Sequence, residues 1–329
     1  MSYTRERDVA VEAVVKASRL CRVVQANLVS DASMSKKDRS PVTVADFGAQ
    51  AVVTYELRSV FPDTPMVGEE DAAELRDPAN AALCGKVVAN VREIEAGLER
   101  DEILDLIDFG MHPGGATGRH FTLDPIDGTK GFLRLDQYAI ALALIEEGEV
   151  VLGVLGCPNL PVDASKPEGE KGCLFIAERG QGASVRTLDD PSEQAISVTQ
   201  IDDPARASFC ESVEKEHSSQ SDSAKVAELL GITTPPFRID SQCKYAAVSR
   251  GDASVYLRLP TRADYEEKIW DHAAGAIVVT EAGGRVTDVN GNDLDFSLGR
   301  TLKKNKGVIV SNGRLHDRVV AAVKDVLKL

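Results

Sequence analysis

An α+β first part followed by an α/β second part is the fold class that the sequence predicts, and three observations carry it. Two long helical patterns come first. A group of short apolar runs follows, separated by Gly, Pro and charged clusters. After a polar stretch punctuated by Pro191 and Pro204, strand-like runs alternate with helical ones. The 329 residues exceed what a single core usually serves, roughly 250–300 residues, so two packed domains are expected, residues 1–195 and 196–329.

The elements follow in order. Val9, Ala13, Leu20, Val24 and Leu28 recur at helical spacing and mark the inner face of a first helix over 6–30. A second is expected over 44–60, entered through Ser40-Pro41-Val42-Thr43 with Thr43 or Asp46 as its cap. Residues 80–109 read as one mixed helical stretch. Strands are expected at 121–123, 138–145, 150–156 and 173–177, and 186–206 reads as the change of domain. Downstream, SVYLRLP and GVIVS read as strands, and 223–230, 272–282 and 314–328 as helices. Asp271 is a natural cap for the helix that Gly283-Gly284 ends.

Composition excludes several functions. Hydrophobic residues are 43% and charged residues 27%, which rules out wholesale disorder. No apolar run approaches the roughly 18 residues of a membrane span. The net charge of −14 argues against non-specific binding of nucleic acid or anionic lipid. An anionic substrate would need a few placed cations or bound metal. The six scattered cysteines form no CxxC pair and read as free thiols of a reducing, cytoplasmic setting. Glu6, Asp8 and Glu12 stand where a transit peptide avoids acids. There is no P-loop, HExxH, GxSxG or GxGxxG motif.

Asp124-Pro125-Ile126-Asp127-Gly128-Thr129 is the densest chemical cluster. Pro125 fixes φ and Gly128 frees it, so the chain turns sharply at a strand end. Two carboxylates three residues apart there can converge, and without a cation they repel. A hard divalent ion with oxygen ligands resolves that conflict; an exposed Asp-Gly turn is the plainer reading. Val67-Gly68-Glu69-Glu70-Asp71 follows a turn-rich connection and reads either as a ligand source or as a solvated acidic face. His272 reads as packed or exposed. His217 falls in a polar turn, and Lys244 and Arg258 are cations suited to phosphate but common on surfaces.

Taken together, SPVTVAD, VGEED, LDPIDGTKGF, EKEHSS, DSQCKYAAVSRGD, YLRLP and EKIWDHAAGAIVVTEAGG resemble, in order, the lithium-sensitive, magnesium-dependent phosphomonoesterases of the inositol monophosphatase and fructose-1,6-bisphosphatase superfamily. Within it they are most similar to the 3′(2′),5′-bisphosphate nucleotidases of plant and fungal type. Residues 162–171 and 186–195 lack a clear counterpart and read as surface loops. The resemblance implies a layered αβαβα sandwich and two or three Mg²⁺ ions. Glu69, Asp124 and the Ile126 carbonyl would hold one ion. Asp124, Asp127 and Asp271 would hold a second, with Asp46 and Glu69 near a third. Thr129 and Asp46 would orient and deprotonate the attacking water. His217, Ser241, Lys244 and Arg258 would bind the nucleotide, with Thr129 and Asp271 also facing it. The implied reaction is in-line hydrolysis of the 3′-phosphate of adenosine 3′,5′-bisphosphate, or of its 5′-phosphosulfate analogue, without a phosphoenzyme. A monomer, lithium inhibition and a place in sulfur assimilation or nucleotide salvage are implied as well. An inositol (poly)phosphate 1-phosphatase and a non-catalytic nucleotide sensor remain open alternatives.

Overall fold

The computed structural model describes residues 2–30, 40–214, 218–262 and 264–329. Helices α1 (Thr4–Ser30) and α2 (Ser40–Val60) pack along each other. Ala13, Leu20 and Val24 are buried as the spacing requires, and Val9 packs half-buried at the edge. The side chain of Leu28 lies outside the described residues. Helix α2 begins four residues earlier than expected, because Pro41 sits in the first turn, where its missing N–H costs nothing. Thr43 and Asp46 are therefore interior to the helix, and neither caps it.

Strand β1 (Met66–Gly68) leads to the short α3 (Ala73–Arg76), and then to α4 (Ala81–Ile94) and α5 (Arg100–Asp108). The expected single helix over 80–109 is thus two. Gly97 adopts φ +95°, breaking the first. The Glu102 carboxylate accepts from the Glu99 N–H at 2.8 Å and starts the second.

Strand β2 (Arg119–Asp127) runs into α6 (Thr129–Arg134), and β3 (Ala139–Glu146), β4 (Glu149–Pro161), β5 (Lys171–Glu178), β6 (Gly182–Thr187) and β7 (Gln194–Ala195) follow. These strands form a seven-stranded sheet in sequence order. Only β1 pairs parallel, with β2; the rest are antiparallel. Segment 186–195 is accordingly not wholly loop: β7 closes the sheet edge there. On β3, Ile140, Leu142 and Leu144 face α1 and α2, while Ala141, Ala143 and Ile145 face the opposite layer. Burial on both faces explains the uninterrupted apolar run.

Strands β8 (Phe209–Glu211), β9 (Phe237–Arg238), β10 (Val255–Arg258), β11 (Arg285–Thr287) and β12 (Val308–Ser311) make a five-stranded sheet, ordered β11-β12-β10-β8-β9. Helices α8 (Cys243–Arg250) and α9 (Ala273–Glu281) fill the layer between the two sheets. Helices α7 (Gln220–Leu229) and α10 (His316–Leu327) cover the far face of the second sheet. The order of layers is helices, sheet, helices, sheet, helices, the αβαβα sandwich that the resemblance implied. All six cysteines are free and buried. No described helix is long and apolar enough to cross a membrane.

Candidate active site

The site begins where β2 ends. Between Asp124 and Asp127 the β2–β3 register slips, so Pro125 and Ile126 form a bulge. Gly128 then turns the chain at φ +91° into α6. A Cβ at Gly128 would stand 2.9 Å from that of Ser241, so the turn also meets the second half of the chain there. Glu69 follows directly on β1, which pairs in parallel with β2, so Glu69 comes beside Asp124; the two share a hydrogen bond.

Asp271 arrives from the other side. It ends a short 3₁₀ turn, Ile269–Asp271, and does not cap α9: no side chain caps that helix. Its carboxylate instead accepts from Arg258 Nη2 at 3.2 Å. Asp127 accepts from the Gln242 N–H at 2.6 Å.

A cavity of about 460 Å³ joins these groups. Glu69, Asp124, Ile126, Asp127, Thr129, Ser241, Lys244, Arg258 and Asp271 all line it. Among the described residues, one expected residue is not in its wall. Asp46 is buried behind it, close enough to Glu69 and Glu70 to feel their charge. His217 lies outside the described residues.

The charges are sharply divided. Burial, then Asp271 and Glu70, push Glu69 up to about 8. Burial, then Glu69 and Asp127, hold Asp124 well above the carboxylate range. Asp46 is raised by burial and then by Glu70 and Glu69. Asp127 is raised by burial and Asp271, but Lys244, Arg258 and the Gln242 N–H pull it back. Oδ1 of Asp46 and Oδ1 of Asp124 are buried with no hydrogen-bond partner. The protein thus gathers buried carboxylates and compensates only one side of them. Oxygen-only donors, mutual repulsion and orphaned oxygens fit a hard divalent cation.

The same cavity also carries the cations Lys244 and Arg258. Lys244 is 4% exposed, its Nζ 5.2 Å from the Tyr256 ring centroid. Arg258 is held by Glu267 at 2.8 Å as well as by Asp271. Glu267 reaches His272 Nε2 at 3.1 Å, and His272 Nδ1 meets the Tyr245 hydroxyl at 2.7 Å. Glu267, Asp271 and His272 bring potential ligand atoms within 4.8 Å of one another. Arg258 pairs with both carboxylates, so Glu267 and His272 form an ion-pair chain that fixes the guanidinium, while Asp271 also meets the carboxylate cluster around Asp127. His272 is packed at 0% exposure.

Sequence reasoning missed Glu267, Gln242 and Glu214. The last, with Asp240, grips Arg134 of α6 and ties the Gly128 turn to the second sheet. Each sits inside a quoted motif, but only the fold shows which partner it reaches.

This fold and site define a class, and residues 3–328 match the Inositol monophosphatase family: the chain belongs to that family. Among its relatives, a 3′(2′),5′-bisphosphate nucleotidase of Emericella nidulans is 47% identical over 100% of both chains. One of Oryza sativa is 48% identical over 99% of this chain and 95% of that one. One of Schizosaccharomyces pombe is 44% identical over 99% and 97%. Solved structures share the fold: an inositol monophosphatase from Anabaena superposes with a TM-score of 0.63 at 19% identity, covering 99% of this chain and 97% of that one.

Proposed function

We propose that the chain is a magnesium-dependent 3′(2′),5′-bisphosphate nucleotidase that releases the 3′-phosphate of adenosine 3′,5′-bisphosphate, and that of its 5′-phosphosulfate analogue. The observation that carries the reading is one cavity lined by both signs of charge, the carboxylates Glu69, Asp124, Asp127 and Asp271 together with the cations Lys244 and Arg258. A phosphate dianion needs both: positive charge over its oxygens and fixed cations for the rest of the molecule. The nucleotidase names of full-length relatives support the same substrate class.

In this reading Glu69, Asp124, Asp127, Asp271 and the Ile126 carbonyl hold two or three Mg²⁺ ions. Bound magnesium supplies Lewis-acid stabilisation of the phosphoryl and leaving oxygens and makes water a better nucleophile. The chain does the rest. Thr129, at the start of α6, orients the attacking water through its hydroxyl. Asp46, buried behind the cavity wall, takes that water's proton by way of the Thr129 hydroxyl when its carboxyl is ionised. Lys244 and Arg258 grip phosphate, and Ser241 and His217 complete the nucleotide site. Arg258 is preorganised by Glu267, so binding does not have to order it. Lithium inhibition, a cytoplasmic setting and a role in sulfur assimilation or nucleotide salvage belong to this reading. So does a division into domains 1–195 and 196–329, which agrees with every strand through Ala195 lying in one sheet and every strand from Phe209 in the other.

The test is phosphate release from adenosine 3′,5′-bisphosphate, its phosphosulfate analogue and inositol 1-phosphate, with and without Mg²⁺ and lithium. Magnesium-dependent, lithium-inhibited release with the nucleotides preferred is expected. Preference for inositol 1-phosphate moves the chain to the inositol phosphatases. Tight nucleotide binding without release makes it a sensor.

A further inference from the structure

Gln242 is the joint between the two halves of the candidate metal site. Its backbone N–H donates to Asp127 Oδ2 at 2.6 Å. Its side chain reaches the other way: Nε2 donates to the Trp270 carbonyl at 2.9 Å, and Oε1 accepts from the Gly275 N–H at 3.0 Å. Trp270 precedes Asp271, and Gly275 lies in the first turn of α9, so the amide spans the corner that presents Asp271.

Chemistry fixes the orientation. A carbonyl can only accept and a backbone N–H can only donate, so both partners are served only by a group with a donor and an acceptor on adjacent atoms. A carboxylate of the same length could not donate to Trp270. The residue is 1% exposed, so water does not substitute for lost bonds. Its backbone is set by the preceding residue: Ser241 adopts φ +63°, a conformation that a non-glycine residue holds only when its surroundings impose it.

We propose that Gln242 is a positioning residue that sets the spacing of Asp127, from the first sheet, against Asp271, from the turn before α9, and thereby sets affinity for the divalent cation. The inference rests on the metal-site reading above. The turn that carries Asp271 packs against β2, which carries Asp127, and Gln242 adds at that contact a bond to Asp127 and bonds to the backbone on either side of Asp271. Partners that orient ligating groups typically contribute 10–100-fold in metal affinity.

Gln242→Ala tests this on the full chain, with magnesium binding by calorimetry and the Mg²⁺-induced shift in Tm measured without substrate. Weakening by about tenfold or more is expected, with the nucleotide KM at saturating Mg²⁺ changed less than about threefold. A merely structural loss would raise KM at saturating Mg²⁺ and leave the magnesium affinity of the folded variant unchanged. Should Gln242→Ala lose the fold, Gln242→Met keeps the volume, removes both polar ends and carries the same readout. A wild-type chain that responds to magnesium and a folded variant that responds alike overturn the inference alone. A wild-type chain that takes up no magnesium overturns the metal reading and the inference with it.

Discussion

Asp124 carries opposite signs for stability and for function. It is buried at 3% exposure beside Glu69, and Oδ1 has no partner. Asp124→Asn removes one of two carboxyls that repel once both are ionised, so above about pH 8 the metal-free chain should melt a few degrees higher than wild type, because an uncompensated buried charge is costly. The same variant should lose on the order of 10³-fold or more in phosphate release, and most of the Mg²⁺-induced gain in Tm. A lower metal-free Tm would show that Asp124 is stabilised as it stands and would remove the argument for a cation. Lys244 lines the same cavity. Burial lowers its pKa while Asp127 and Asp240 support its charge. Lys244→Ala should cost the bisphosphate nucleotide substantially more kcat/KM than inositol 1-phosphate. Equal losses would mean that the ammonium holds the carboxylates in place and does not select the nucleotide.

Elements decide how near the carboxylates come. Helix α9 lies on β3–β5, and the approach is set at Gly153 of β4. A Cβ there would stand 2.4 Å from Ile277 Cγ2 and 2.9 Å from the Ala274 carbonyl oxygen. The backbone oxygen cannot swing away, so Gly153→Ala must lift the helix. Overpacking of this kind costs about 1–3 kcal/mol, and the lift also displaces Asp271, so the urea midpoint and kcat should fall together. An unchanged urea midpoint would show that α9 yields freely. This contact is also where the sequence stops being legible. The apolar run of β3, the amphipathic α1 and the Asp124–Thr129 turn were all readable, because each depends on neighbours a few residues away. Asp46 and Asp271 read locally as helix caps and are not. Asp271 is drawn off by Arg258, thirteen positions away, and Pro41 moves the start of α2 upstream of Asp46. Glu267 and Gln242 carried no local signal, since their partners exist only once two sheets and α8 have assembled. Short strands such as β1, β9 and β11 escaped for the same reason: two or three residues have no period to read.

Over the whole molecule, two sets of buried groups pull the pH dependence of stability in opposite directions. His120 and His316 are both held down to about 4, chiefly by burial. Ring nitrogens of His316 meet Thr287 at 2.9 Å and Ser311 at 2.8 Å inside the second sheet, whereas His120 Nε2 has no partner. An unfolded histidine takes its proton near 6.5, so between about 6.5 and 4 the unfolded chain binds more protons than the folded one. Stability supplied by these rings is complete above that window and is lost as pH falls through it. Glu69 and Glu70 behave the other way. Burial raises them to about 8 and about 7, followed by Asp271 for Glu69 and Asp71 for Glu70. Their unfolded values lie near 4.3, so the folded chain binds more protons between there and 7–8, and stability falls as pH rises through that range. Each pH unit over which the two states differ by one proton is worth about 1.4 kcal/mol. The metal-free chain should therefore be most stable at mildly acid pH and weaken toward pH 8. A divalent cation held by Glu69 and Asp124 would favour the ionised carboxylates, so saturating Mg²⁺ should remove most of the alkaline decline and leave unchanged the acid limb, to which the histidines and carboxylates held low by their partners, such as Glu267, contribute. Urea midpoints from pH 4 to 9 with and without Mg²⁺ measure both limbs. An alkaline limb that magnesium does not flatten would place the cation elsewhere, and His316→Gln should shorten the acid limb whether or not the metal is present.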